Sequence, residues 1–328
     1  MTKMETTYLG LKLKNPIVVG SSGLTNSVEK IRKVQQAGAG AVVLKSLFEE
    51  QISHDTERAI YQGSGMDYPE ALDYIKGYSR SNSVGEYLQL LKDAKAAVDI
   101  PVIASINCYS GEEWIDFARQ VQEAGADALE LNVFAVNTDK NSEAAAYEEL
   151  YLKVAREVSK VVSIPVVIKL GQYFSNLVAV VNKLSVSGAR GVTLFNRYYE
   201  PDIDINSLSF TSSEVFSQPA DLRQSLRWVA IVSDKVHNIE IAASTGVHDG
   251  DAVIKQILAG AQVVQVCSAV YKQGPEVITQ MLQKLESWMQ EKDFEKVAQF
   301  RGLMSYGKIK NPAVYERAQF MRYFSKFE

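Results

Sequence analysis

Lys169 stands inside the apolar run Val166-Val167-Ile168-Lys169-Leu170, where an ammonium must either pair with a carboxylate or project into a polar mouth. A ring that turns anionic on reduction would hold such a lysine charged. A carbonyl substrate captured as a Schiff base would instead need its free amine. Polar residues follow other apolar runs in the same way: Ser21-Ser22-Gly23, Lys45-Ser46, Asn107-Cys108, Asn132, Asn196-Arg197, Ser244-Thr245-Gly246 and Cys267-Ser268. Any one of these reads as a solvated end. Lys45 and Lys169 together with Asn107, Asn132 and Asn196, all in the same relation to their runs, point to a site. Ser244-Thr245-Gly246-Val247 then leads into His248-Asp249-Gly250-Asp251, which reads as a tight turn entering a helix. Backbone N–H groups at such a turn can cradle a phosphate, with Ser268 donating from the neighbouring run. Many phosphosugar enzymes share that signature.

These residues need a frame that gathers run ends onto one rim. The candidate strands are Pro16–Gly20, Ala41–Leu44, Val102–Ile106, Ala128–Asn132, Val166–Leu170, Val192–Asn196, Ile239–Ser244 and Val263–Cys267. Most are continuously apolar rather than alternating, as for parallel strands buried on both faces. With helical patterns between them they predict an α/β fold in a single domain, a closed (β/α)8 or TIM barrel. Active sites of that architecture form at the C-terminal strand ends. Ala37-Gly38-Ala39-Gly40, Ala124-Gly125-Ala126, Ser187-Gly188-Ala189 and Ala259-Gly260-Ala261 each close an amphipathic segment just before a strand, predicting a glycine-capped helix and a short loop. Ile100-Pro101-Val102 and Ile164-Pro165-Val166 place proline at a strand's first residue, where its missing N–H costs little.

Thr6–Leu13 alternates polar and apolar around Gly10, predicting a short hairpin at the barrel's bottom. Glu49–Asn82 reads as a long insertion over the top face. The barrel is assigned to residues 1–301. Residues 302–328 form an extension rich in aromatics (Tyr306, Tyr315, Phe320, Tyr323, Phe324, Phe327), read as a helix packed on the barrel or at a subunit interface.

Composition narrows the function classes. The 328 residues carry a net charge of −4, which gives no surface for nucleic acid or anionic membrane. No stretch approaches the roughly 18–20 apolar residues of a membrane helix. Met1-Thr2-Lys3-Met4-Glu5 lacks the features of a secretory signal, so a cytoplasmic setting is expected. Two cysteines and three histidines provide neither a disulfide framework nor a zinc site, so no metal is expected. There is no cysteine-rich motif for an iron–sulfur cluster either.

The order and placement of Asn15-Pro16, Ser21-Ser22-Gly23, Lys45-Ser46, Asn132…Asn137, Ile168-Lys169-Leu170, Asn196 and Thr245-Gly246-Val247 resemble the dihydroorotate dehydrogenase family, most nearly its soluble class 1 members. The resemblance runs from about Thr7 to Arg301. It implies an FMN-dependent oxidoreductase acting on CH–CH bonds, in the setting of pyrimidine biosynthesis, and a homodimer. Ser22, Gly23, Lys45, Asn132, Lys169 and Asn196 are then implied to contact the flavin ring or ribityl chain, with Ser46 beside them. Asn107 matches a flavin-contacting asparagine of the membrane-associated class. Gly246, Val247, Cys267 and Ser268, together with Thr245, are implied to hold the FMN phosphate. Lys45 and Asn132 would position ring and substrate, and Lys169 would stabilise reduced flavin. Ser64, Asn137, Asn196 and Arg197 would bind a small, anionic, pyrimidine-like substrate.

The family's proton-abstracting cysteine or serine lies in an Asn-x-x-Cys/Ser-Pro-Asn loop after the fourth strand. Here the loop reads Asn132-Val133-Phe134-Ala135-Val136-Asn137, and the Ala135 methyl cannot accept a proton. Cys108, on the adjacent strand-end loop, is a candidate replacement. Further departures are Ser64 in place of a loop asparagine, Arg197 in place of a small residue, and Thr245 and Cys267 in place of phosphate-loop glycines. Two other classes remain open: a Schiff-base lyase of the aldolase type using Lys169 or Lys45, and a non-catalytic flavin-binding protein. Electrons would leave through a soluble acceptor or a partner subunit.

Overall fold

A computed structural model describes residues 3–48, 69–107, 111–133, 136, 138–197, 200–212 and 214–316. An antiparallel hairpin, β1 (Thr6–Tyr8) and β2 (Leu11–Leu13), precedes the repeating unit. There follow β3 (Ile17–Val19), α1 (Val28–Gln36), β4 (Ala41–Val43), the two-residue β5 (Leu47–Phe48), α2 (Pro69–Ala97), β6 (Val102–Asn107) and α3 (Gly111–Glu123). The chain continues through β7 (Ala128–Asn132), α4 (Ala144–Val161), β8 (Val166–Leu170), α5 (Leu177–Val186) and β9 (Gly191–Leu194). A second hairpin, β10 (Pro201–Asp204) and β11 (Ser209–Ser212), leads to α6 (Leu222–Lys235), β12 (Glu240–Ala243), α7 (Gly250–Ala259) and β13 (Val263–Val266). Last come α8 (Ser268–Gln273), α9 (Glu276–Glu291), α10 (Val297–Phe300) and α11 (Ala313–Glu316). Strands β3, β4, β6, β7, β8, β9, β12 and β13 pair in parallel in that order, and β13 pairs with β3 to close the expected eight-stranded barrel. Among the described residues no helix is long and apolar enough to cross a membrane.

The glycine junctions work as their sequences predict. Gly38, Gly125, Gly188 and Gly260 all take positive φ, between 94° and 123°, and turn the chain from helix to strand. Residues such as Ile17, Leu44, Ile106 and Leu170 are fully buried between sheet and helices, each contributing about 1.5–3 kcal/mol. Inside the barrel a smaller apolar layer gathers Val18, Ala41, Val43, Ile103, Ala128 and Val167, and Tyr8 and Leu9 of the hairpin plug it from below. The backbone N–H of Leu9 is fixed by Glu240 Oε2 at 2.7 Å.

The described part of the C-terminal segment packs across α6 and α7: Met304 N–H donates to Leu258 O at 2.8 Å and Tyr306 N–H to Ala230 O at 2.9 Å. It runs mostly as turns, with helix only at α11, because Gly302 (φ 77°) and Pro312 interrupt any longer helix.

Candidate active site

Two residues above the apolar plug the inward positions turn polar, as the period-two alternation of each strand dictates. Ala128 gives way to Glu130 on β7 and Val167 to Lys169 on β8, while β9 and β13 contribute Thr193 and Gln265. Glu130 is 1% exposed, and its Oε2 accepts from Thr193 Oγ1 at 2.8 Å and from Gln265 Nε2 at 2.7 Å. Its other oxygen, Oε1, lies 3.5 Å from Lys169 Nζ. The two fates open to Lys169 in the sequence are thus both realised: it pairs with a carboxylate and also lines the cavity above.

That cavity, about 240 Å3, lies at the C-terminal strand ends. On one side stand Lys169 and Asn196, with Asn196 Nδ2 donating to Asn132 Oδ1 at 2.9 Å across the β7 and β9 ends. On the other lies the turn after β12, where Thr245 (φ 79°) and Gly246 (φ 76°) are left-handed in succession. A Cβ on Gly246 would stand 2.0 Å from Leu222 N, so only glycine fits. Successive backbone N–H groups in a tight turn can form an anion-binding concavity, and Thr245, Gly246 and Val247 all border the cavity. Cys267 and Ser268 also line it, and Ser268 Oγ accepts from Ser217 N–H at 3.0 Å. Burial pushes the Cys267 thiol up, opposed by the nearby Lys169.

Other expected residues are placed as follows. Ser22 lines the cavity and caps a short helical turn through Leu24 N–H, and Gly23 sits against the Tyr271 hydroxyl. Ser46 is buried in a hydroxyl chain, Ser21–Ser46–Ser105, with Oγ separations of 3.0 and 2.7 Å. Asn107 is buried at the β6 end opposite Phe48. Lys45 is half-buried at the β4 end and does not line the cavity. Arg197 lines it, with Nη1 donating to Val215 O at 2.7 Å and Nη2 at 3.6 Å from Glu200. The guanidinium therefore ties the 214–218 segment to the cavity's edge. Ser64, Cys108, Ala135 and Asn137 lie outside the described residues.

The family model for dihydroorotate dehydrogenase matches residues 3–289. This chain belongs to the dihydroorotate dehydrogenase family. It is similar to the dihydroorotate dehydrogenase B (NAD(+)) catalytic subunit of Thermoplasma volcanium, 29% identical over 310 residues that span 92% of this chain and 99% of the relative. The subunits of the same name from Methanothermobacter thermautotrophicus and Anoxybacillus flavithermus are 27% and 26% identical, again over 92% of this chain, and 98% and 96% of their own lengths.

In this member of the dihydroorotate dehydrogenase family, several site residues were missed by sequence reasoning. Glu130 and Gln265 interrupt apolar runs just as Lys169 does, in Ala128-Leu129-Glu130-Leu131 and Val263-Val264-Gln265-Val266, so the signal was present. Phe216 and Ser217 carry none, because the segment reaches the site only through the loop after β11. His248 Nε2 lies 3.0 Å from Ser217 Oγ. Burial first, then the nearby Lys272, lowers the His248 pKa below its ordinary 6.5, so the folded state resists a proton that the unfolded state accepts. The stability this supplies is full above about pH 6.5 and is lost as pH falls through the lowered folded value. Urea melts across that range should show stability falling toward acid, and His248→Gln should flatten the fall. An unchanged slope in the variant would assign the acid sensitivity elsewhere.

Proposed function

We propose that this chain is an FMN-dependent oxidoreductase acting on a CH–CH bond of a small, anionic, pyrimidine-like substrate. The observation that carries the reading is one cavity with a paired lysine and Asn196, itself bonded to Asn132, on one side and a tight turn of neutral residues at Thr245-Gly246 on the other. The donor chemistry fits FMN. Thr245, Gly246, Val247 and Ser268 offer backbone and hydroxyl donors for a phosphate. A side chain at Gly20 would strike Cys267 Sγ at 2.9 Å, so glycine there lets Cys267 and Gln265 sit where they line the cavity. Gln265 Oε1 is buried without a hydrogen-bond donor, leaving an acceptor for a ring N–H.

FMN when bound supplies the two-electron acceptor. Everything else falls to this chain's side chains. Lys169 presents positive charge to the ring. Asn196, held by Asn132, and Arg197 both line the cavity and would bind substrate, the guanidinium pairing with a carboxylate. Ser22 and Gly23 border the ring side, and Lys45 and Ser46 stand on the neighbouring strand end. Relatives are named as catalytic subunits, and the two cysteines here cannot build a cluster, so electrons leave through a partner subunit.

A visible spectrum of the purified protein tests the reading. Flavin bands are expected, with slow bleaching when dihydroorotate is added without oxygen. NAD+ added to the bleached chain alone should restore colour slowly or not at all. A colourless protein that FMN cannot reconstitute would overturn the function, and prompt recolouring by NAD+ would overturn the partner.

A further inference from the structure

A carboxylate is an expensive group to seal inside a barrel, and Glu130 is not explained by packing. Its Oε2 already holds two donors, Thr193 and Gln265, and a glutamine amide oxygen would serve them equally well. Its Oε1 is buried with no hydrogen-bond donor and faces only the Lys169 ammonium at 3.5 Å. An amide nitrogen in that position would oppose the ammonium. The charge of Glu130 is therefore matched to Lys169, which stands between it and the cavity.

We propose that Glu130 is a positioning residue, a counter-charge beneath Lys169 that fixes the ammonium at the cavity floor and sets how much positive potential a bound flavin ring meets. The inference rests on the flavin reading above. Thr193 and Gln265 bind one carboxylate oxygen, Oε2, and so orient the other toward Lys169. The ring thus meets a lysine already partly neutralised, and its reduced, anionic form is stabilised less than a lone cation would stabilise it. The other titratable groups around the network are Tyr8 below, raised by burial and then by Glu130 and Glu240, Tyr87, raised by burial, and Cys267 at the rim, also raised by burial. The tyrosines and the thiol are held in their neutral forms and Glu240 is bonded to Leu9 N–H at the barrel's bottom, so Glu130 is the carboxylate beside Lys169.

The test compares wild type, Glu130→Gln and Glu130→Asp, each loaded with FMN and equilibrated with a redox dye at fixed pH. Removing a unit charge within a low-dielectric core should shift the flavin toward its reduced form by about tenfold or more in Glu130→Gln. Glu130→Asp, which keeps the charge, should stay within about threefold of wild type. A merely structural role predicts the reverse order, since glutamine is the isostere and aspartate leaves a gap. An unmoved equilibrium in Glu130→Gln overturns the proposal. On wild type alone, the infrared difference between oxidised and reduced protein should show no protonated carboxylic acid, and such a band would also overturn it. Wild type that takes up no FMN fails earlier, on the flavin reading, and this inference falls with it.

Discussion

Replacing Lys169 with methionine is expected to lower the stability of the protein by about 3–5 kcal/mol, the usual result of stripping one partner from a buried ion pair. The methionine fills much the same volume, so the loss is electrostatic rather than a cavity. It leaves the Glu130 carboxylate, 1% exposed, with two neutral donors and no cation. Geometry alone would rank the pairs differently. Lys33 and Glu29 approach to 2.7 Å, closer than the 3.5 Å of Lys169 and Glu130, yet their side chains are 60% and 77% exposed against 10% and 1%. Water screens the first pair and not the second, so burial decides. Adding Glu130→Gln to Lys169→Met should recover most of the loss, because a neutral pair has no desolvation cost to offset. Urea denaturation of wild type, both single variants and the double variant gives the coupling directly. A Lys169→Met protein within about 1 kcal/mol of wild type would show that the pair is not formed.

The barrel was legible because each of its devices is local. Continuous apolar runs, glycines at helix ends and prolines at strand starts each report a backbone state within a few residues, and the strands lie within a residue or two of their expected bounds. Lys169 was legible for the same reason, as a charge inside an apolar run. What faces it was harder. Glu130 carries an equal signal, but pairing the two requires knowing that β7 and β8 are neighbours in a register that places Asn132 beside Lys169. The tight turn after β12 could be read from Gly246, since glycine signals left-handed geometry, whereas the β-branched Thr245, which shares that geometry, gives no such signal. Arg197's hold on Val215 O could not, because the β10–β11 hairpin between them has no length or sequence rule that returns it to the rim.

Ala135→Cys is expected to raise the rate at which dihydroorotate bleaches the flavin by about 10²–10⁴-fold, the usual contribution of a placed general base. The flanking Asn132 and Asn137 are kept, and Asn132 is already held by Asn196 at 2.9 Å, so the substitution restores a proton acceptor to a loop whose neighbour is in place. The gain should also carry a signature. The variant's rate should climb with pH as the thiol ionises near about pH 8.5, a limb absent from the alanine protein. A gain with that limb means that the chain keeps the family's substrate geometry and has lost only its base. No gain at any pH means that dihydroorotate does not seat against the ring. The guanidinium of Arg197, where the family has a small residue, then becomes the selecting group, and Arg197→Ser combined with Ala135→Cys is the variant in which bleaching should return.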